Sequence, residues 1–402
     1  MSKPTGARDP RLDFFRGLAL LIIFVSHIPG NPVALHVPGY YGWSDAADMF
    51  VFMSGFAAAI AFGGAFINAG WPIGSARIAF RCWQLYFSHV TLFFLLVAVS
   101  VGATRWLQTG VDYIAELHLY PFLQQPEDGV LRLLLLTYVP NYFDILPMYL
   151  VVLAMVPAVM LLARVHPLLP LVASALLWVV NLQVDIRLPA DLDIEREWFF
   201  NPFGWQFLFF TGFTIARGWL PTPRHLAWLF WLCVAWLGLS ALLTLKPVYE
   251  AVPGFAELRG FLIAHASKND FGPTRWLHFM ASAYVVVVLL HGREALLPRY
   301  AFPVMKIGQQ SLPTFLFGMV LAQLMGMALD LSGRTFLTIV LANVTGVGLH
   351  FACAYTVGWF KSAPWKARAH APSAGFRWRN DLLRRAGDSL PGGAVGEARR
   401  RS

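Results

Sequence analysis

Long apolar stretches separated by polar loops recur along the whole chain. A helix needs about 17 to 25 apolar residues to cross a bilayer. Ten segments approach or meet this length, of which the fifth, sixth and eighth are short: Leu12–Ile28, Ala46–Phe66, Ile78–Val101, Tyr142–Ala163, Leu168–Leu182, Phe203–Ala216, Leu226–Leu245, Trp276–Leu290, Pro303–Leu329 and Thr335–Phe360. The pattern predicts an all-α fold, a polytopic transmembrane helical bundle of about ten helices.

The composition agrees with this pattern. Of the 402 residues, 57% are hydrophobic and 13% are charged, about half the charged share of an ordinary soluble domain. This excludes a soluble enzyme, a disordered protein and a fibrous repeat. The three cysteines, Cys82, Cys233 and Cys353, are far apart and predict neither a disulfide framework nor a metal site.

The basic residues are sorted by side of the membrane. With the N-terminus in the cytoplasm, 21 of the 31 Lys and Arg residues fall in the cytoplasmic segments and the C-terminal tail. Cytoplasmic loops carry such an excess of Lys and Arg. The distribution therefore predicts an even number of spans with both termini cytoplasmic, and a first apolar run that is retained rather than cleaved as a signal peptide.

Two regions follow, a transmembrane domain over residues 1–360 and a basic tail over residues 361–402. The tail holds ten basic and three acidic residues and is rich in Gly, Pro and Ala, which predicts disorder. Its charge favours contact with anionic membrane lipids, and a nucleic-acid partner is not expected.

Ionisable residues inside a membrane are costly and mark functional sites. Arg16 and His27 lie in the first span, eleven positions apart. At 100° and 1.5 Å per residue, they share one helix face about 16 Å apart. This stripe suggests a polar pathway, although a snorkelling Arg16 and a His27 that caps the helix are the alternative.

Acidic residues open the second span. Asp48 is expected at a depth similar to that of His27, and Asp45 precedes it at the start of the span. A carboxylate bonded to one imidazole nitrogen raises the basicity of the other, so a His27–Asp48 or His27–Asp45 dyad can act as a general base on a substrate hydroxyl. The alternative is that Asp45 is an N-cap and Asp48 a first-turn acid.

Arg77 and Arg81 stand at the inner start of the third span. Their i, i+4 spacing puts both guanidinium groups on one helix face, where they form a fork suited to phosphates. Ordinary cytoplasmic positive charge is the alternative.

Secondary candidates are Asp45, Ser54, His89 and Asp144. Ser54 precedes Gly55, and this small pair favours close helix packing more than nucleophilic catalysis. Single buried histidines such as His89 are usually satisfied by a neighbouring hydroxyl or carbonyl.

Two stretches carry a family resemblance. Asp9–Asn31 and Ser44–Gly55 resemble the OpgC family of osmoregulated periplasmic glucan succinyltransferases. That family is similar to a branch of the membrane acyltransferase-3 superfamily, which shows R-x10-H in its first helix, F-F-x-x-S-G-like residues in its second and R-x-x-x-R leading into its third. These motifs fall on Arg16 and His27, on Phe50 to Gly55, and on Arg77 and Arg81. Beyond about residue 90 the resemblance rests on hydropathy and on scattered motifs such as Asn141–Tyr149.

The resemblance implies acyl transfer across a bacterial inner membrane. Cytoplasmic acyl-CoA, here succinyl-CoA, is the implied donor substrate, a periplasmic glucan the acceptor, and no cofactor is bound. Arg77 and Arg81 are expected to hold the CoA phosphates. Arg16 is expected to line the path of the pantetheine arm or to pair with an acyl carboxylate.

His27, oriented by Asp48, is expected to deprotonate the sugar hydroxyl or to pass the acyl group on through a covalent intermediate. Two alternatives stay open: an O-acetyltransferase of another envelope polysaccharide, and a transporter of a glycan or organic anion. A succinyl donor also requires one more cation near the acyl terminus, which the sequence does not identify. The oligomeric state is likewise unknown from sequence.

Overall fold

The computed structural model describes residues 9–223, 225–293 and 296–369, and most of them are helical. The chain divides into two compact units between Tyr355 and Thr356. The helices, in chain order, are α1 (Pro10–His27), α2 (Ala46–Asn68), α3 (Gly70–Trp106), α4 (Tyr113–Glu116), α5 (Tyr120–Gln124), α6 (Pro126–Leu134), α7 (Ile145–Ala154), α8 (Val156–Val165), α9 (Leu169–Val184), α10 (Pro202–Ala216), α11 (Ala227–Thr244), α12 (Lys246–Ala251), α13 (Phe255–Ala264), α14 (Pro273–Leu290), α15 (Leu296–Tyr300), α16 (Phe302–Gln309), α17 (Ser311–Ser332), α18 (Phe336–Lys361) and α19 (Pro364–Ala369).

Short elements fill the loops. Two 3-10 helices, Pro32–His36 and Pro38–Tyr40, lie between α1 and α2. Two short strands, β1 (Pro189–Asp191) and β2 (Arg196–Glu197), form an antiparallel hairpin between α9 and α10.

Within the described residues, seven helical segments are long and apolar enough to cross a membrane. They are Ala46–Asn68, Gly70–Trp106, Ile145–Val165, Ala227–Thr244, Pro273–Leu290, Ser311–Ser332 and Phe336–Lys366. The all-α fold class is thereby confirmed, and the chain is a multi-pass membrane protein. All ten predicted segments are helical, but α1 carries several charges and α9 and α10 are short. The count of ten spans and the position of the termini stay predictions.

Several predicted boundaries are wrong in detail. The third segment extends to 37 residues in α3. The fourth begins at Ile145 and is interrupted at Met155, ahead of Pro157. Pro157 has no N–H to donate and is tolerated only near a helix start. The ninth segment is divided at Gln310 into α16 and α17, so that Pro313 lies in the first turn of α17.

Glycines let helix backbones approach closely in the centre of the first unit. A Cβ at Gly17 of α1 would collide with the Val304 carbonyl of α16, and one at Gly308 of α16 with the Asp13 carbonyl of α1. Gly55 of α2 packs in the same way against the Phe209 backbone of α10, which confirms the close packing predicted at this position. Residues Pro202 to Thr214 of α10 are almost all buried, so α10 is a central helix.

Charged loops close the end of the first unit where α1 terminates. Arg187 pairs with Asp185, Glu197 and Asp270. His118 bonds to the buried Asp191 at 2.8 Å. Acids in the loops that are predicted to face outward thus have local basic partners.

The second unit contributes the end of α18 and the short helix α19. The rings of Trp359, Phe360 and Trp365 contact one another there. Helix α19 occupies part of the tail that we predict to be disordered. The rest of that tail lies outside the described residues, and the division at residue 360 stays a prediction.

Candidate active site

His27 lies in the last turn of α1 and its ring orientation is set by its own helix. Its Nδ1 lies 2.7 Å from the carbonyl oxygen of Ile23. Because a carbonyl can only accept, Nδ1 carries the proton and the neutral ring keeps its lone pair on Nε2. The half-buried ring therefore has the tautomer of a general base.

The predicted hydrogen bond between Asp48 and His27 is not formed. Instead, each oxygen of the fully buried Asp48 carboxylate accepts a hydrogen bond from Arg275 of α14, at 2.8 Å from Nε and 2.7 Å from Nη2. Asp48 also accepts the Asp45 backbone N–H at 2.7 Å in a capping box. Asp48 therefore holds α2 against α14, and its effect on His27 is indirect.

Asp45 combines a structural and an electrostatic part. It is the N-cap of α2 and accepts from the Ala47 N–H at 2.8 Å, as the structural alternative predicts. Its Oδ2 lies 2.7 Å from both Arg275 Nη2 and Lys268 Nζ. Burial alone would raise the pKa of Asp45, but the two cations outweigh burial and hold that pKa well below its ordinary value. Asp45 and Lys268 are both within electrostatic range of His27.

Aromatic side chains surround this charged cluster. Tyr142 meets the His27 ring edge to face, with ring centroids 5.3 Å apart. Lys268 Nζ lies 5.8 Å from the Phe199 ring and 5.9 Å from that of Phe200. Exposed aromatic faces beside a base are suited to stacking on a sugar ring.

A second histidine lies in the same region. The Ser44 hydroxyl is 2.7 Å from Nδ1 of the buried His278. Among the described residues, no other serine hydroxyl bonds to a histidine ring. Ser54 is buried on α2 and has no such partner there.

Arg16 lies in the N-terminal half of α1, away from His27, and contacts a different polar side chain. Arg16 donates to the Ser311 hydroxyl at the start of α17. Tyr149 of α7 is within electrostatic range of both Arg16 and Arg81. Tyr142 thus lies beside His27, and Tyr149 lies within electrostatic range of Arg16 in the other half of α1.

Arg77 and Arg81 share one groove on α3. The groove has a volume of about 410 Å³, and it is lined by these two arginines, Gln84 and the apolar side chains of Phe62, Ile73 and Phe80. Arg81 Nη1 donates to Gln84 at 3.0 Å, and Arg77 lies over the Phe62 ring. Neither arginine has an acidic partner among the described ion pairs, so the groove can accept an anionic group.

A family model described as OpgC protein matches residues 8–362, which is most of the chain. The chain belongs to the OpgC family. No curated protein and no solved structure matched it.

In this OpgC-family chain, sequence reasoning missed Arg275 and Lys268. Arg275 immediately precedes the apolar run that begins at Trp276, so the hydropathy pattern places it just outside the predicted span. Lys268 lies in a short polar loop, where nothing local distinguishes it from a solvated lysine. A buried Asp48 without a cation in its own helix was the signal that a distant partner exists.

The secondary candidates have separate environments. His89 is 1% exposed, and neither of its ring nitrogens has a partner among the described residues, so the expectation of a neighbouring hydroxyl or carbonyl is wrong. The Asp144 carboxylate accepts the Phe199 N–H at 2.9 Å. Burial raises the pKa of Asp144 to about 6, against the opposing effect of that bond. Among the described residues, no three His, Cys, Asp or Glu side chains form a group that could hold a metal ion.

Proposed function

We propose that this OpgC-family protein is a transmembrane O-acyltransferase. It moves a succinyl group from cytoplasmic succinyl-CoA to hydroxyls of periplasmic glucans, in the inner membrane of a bacterium. The match to the OpgC family over residues 8–362 is the observation that carries the proposal, because it points to modification of a glucan. No cofactor is required, since acyl-CoA is itself the activated donor.

His27 supplies the base in this proposal. Its Nε2 takes the proton of a sugar hydroxyl while the hydroxyl oxygen attacks the thioester carbonyl. The C–S bond then breaks, and CoA leaves as a thiolate that is protonated from the imidazolium or from water. A covalent route, with the acyl group carried transiently on Nε2, uses the same lone pair. Both routes need the tautomer that the Ile23 carbonyl favours.

The arginines have separate roles in this proposal, according to where they lie. Arg77 and Arg81 hold the CoA phosphates in their groove. Arg16, with Ser311 and Tyr149 nearby, lines the way along α1 toward His27. Asp48 and Arg275 form the rigid support of the N-terminus of α2.

Label transfer by purified protein tests the proposal. The full chain in proteoliposomes is supplied with [14C]succinyl-CoA on one side and unsubstituted glucan on the other. We expect radiolabel in the glucan. An acetyltransferase would use [14C]acetyl-CoA in preference, and a transporter would move glucan or anion without any label transfer; either result would overturn the proposal.

A further inference from the structure

Lys268 lies in the short segment between α13 and α14, and two hydrogen bonds hold the backbone there. Its carbonyl accepts from Trp205 Nε1 at 2.9 Å. The next residue, Asn269, accepts from the Asn201 N–H at 2.9 Å. Trp205 is fully buried, so the loop is anchored in the protein interior. The backbone at Lys268 is therefore fixed, and the 2.7 Å contact with Asp45 positions the ammonium group.

The side chain of Lys268 is the accessible cation of the cluster around Asp45. Its side chain is 36% exposed, whereas that of Arg275 is 7% exposed. Both donate to the same oxygen of Asp45, at 2.7 Å each. An incoming anion can thus reach Lys268 while Arg275 stays enclosed.

Asp45 does not depend on Lys268 for its partners. If the lysine turned away, the carboxylate would keep Arg275 Nη2 and the Ala47 N–H. Asp48 would keep both of its bonds from Arg275. Lys268 can therefore bind a substrate anion without leaving Asp45 or Asp48 unpaired. A buried carboxylate without a partner would be strongly destabilising.

The location of Lys268 relative to His27 identifies the anion. Lys268 is within electrostatic range of the His27 ring. When the thioester carbonyl of a donor is at His27, the other end of the acyl chain therefore lies near Lys268. On the basis of the proposed function, we propose that Lys268 binds the free carboxylate of a dicarboxylic acyl donor and selects it over uncharged donors. The Phe199 and Phe200 rings flank its ammonium group, with ring centroids 5.8 Å and 5.9 Å from Nζ.

Donor competition tests this assignment in the purified full chain. The variants are Lys268→Gln, which removes the charge, and Lys268→Arg, which keeps it; Lys246→Gln is the control, since Lys246 is a solvent-exposed lysine of α12. Transfer to glucan is measured with succinyl-CoA and with butanoyl-CoA, which has the same number of acyl carbons and no carboxylate.

We expect Lys268→Gln to lower kcat/KM for succinyl-CoA about 10- to 100-fold, the size expected for one charge-assisted hydrogen bond. The fall for butanoyl-CoA should be at most about threefold, and Lys268→Arg should retain the preference for succinyl-CoA.

Equal losses with both donors in a variant of unchanged melting temperature would overturn the assignment, because Lys268 would then serve every acyl group. An unchanged donor ratio in Lys268→Gln would overturn it as well. In both cases the proposed function would stand, since wild-type protein would still transfer succinyl groups; absence of any transfer by wild-type protein would reject the two together.

Discussion

Asp48 of α2 and Arg275 of α14 form a two-point ion pair although 227 positions separate them. The Asp48 side chain is 0% exposed and that of Arg275 is 7% exposed. Arg275 also reaches Asp45, the N-cap of α2. One guanidinium group thus binds both acids at the start of α2, next to the helix end that bears His27.

Removal of Arg275 should destabilise the protein strongly. Arg275→Gln leaves the Asp48 charge buried without its partner, which costs about 3–5 kcal/mol. Adding Asp48→Asn should restore much of this loss, because the uncompensated charge is gone. The apparent melting temperature in detergent measures both effects.

The matched control is the exposed pair of Lys246 and Glu250 on α12, 3.8 Å apart. Lys246→Gln should leave the melting temperature unchanged, since an exposed pair contributes little. A drop as large as that of Arg275→Gln would contradict the special weight given to the buried pair.

Substitution of His27 should abolish transfer without unfolding the protein. General-base catalysis contributes about 10²- to 10⁴-fold, so His27→Gln should lower kcat by that range while the melting temperature stays close to wild type. His36→Gln is the control, because His36 makes the same bond to a carbonyl four residues earlier but is exposed. Normal glucan succinylation by well-expressed His27→Gln protein would refute the role of His27.

Substitution of the groove arginines should affect the donor rather than the acceptor. Arg77→Gln with Arg81→Gln removes two cations that are proposed to bind phosphate, so the KM for acyl-CoA should rise about 10- to 100-fold while kcat changes little. Arg164→Gln is the control, since this arginine is exposed at the end of α8. Steady-state kinetics with each substrate varied in turn measure these constants. A change confined to the KM for glucan would count against the assignment.

The contact between α1 and α16 should not tolerate a methyl group. Gly17→Ala and Gly308→Ala each place a Cβ against the backbone of the facing helix, which cannot turn aside as a side chain can. Each should destabilise the protein by about 1–3 kcal/mol.

Gly348→Ala on α18 is the control for this contact, because a Cβ there meets nothing within 4 Å. Alanine favours helix more than glycine does, so Gly348→Ala should keep or raise the melting temperature. Equal behaviour of the three variants would show that the close approach is unimportant.

Asp144 should make stability depend on pH. The pKa of its carboxyl in the folded protein is raised from 3.8 to about 6 by burial. The folded state therefore binds the proton more tightly than the unfolded state, and stability falls as pH rises from about 4 to about 6.

Asp144→Asn keeps an oxygen for the Phe199 N–H and has no charge to bury. The stability of this variant should not fall between about pH 4 and about pH 6. Above about pH 6 the variant should be more stable than wild type by up to about 3 kcal/mol. Melting temperatures across pH 4 to 8 test this, and parallel curves for variant and wild type would exclude Asp144 as the source.

Local patterns were sufficient for much of the candidate site. Arg16 and His27 share the same helix, so the helical period alone relates their positions, and the structure keeps both on α1. Arg77 and Arg81 are one turn apart and line one groove. The N-cap of Asp45 follows from the residues beside it.

Pairs that span distant segments were not predictable in this way. Similar depth in the membrane pairs Asp48 with His27, but depth does not determine which helices are neighbours. Lys268 meets Asp45, and His278 meets Ser44, only because remote segments of the chain fold against each other.

The sequence by itself determined a membrane-embedded helical protein, because long apolar runs can satisfy their backbone hydrogen bonds in lipid only as helices. Only the tertiary structure decided that Arg275 and Lys268 meet Asp45 and Asp48. That choice depends on which helices pack together. The local Ser54–Gly55 pair predicts a close approach, but only the contact between remote surfaces selects the Phe209 backbone as the partner of Gly55.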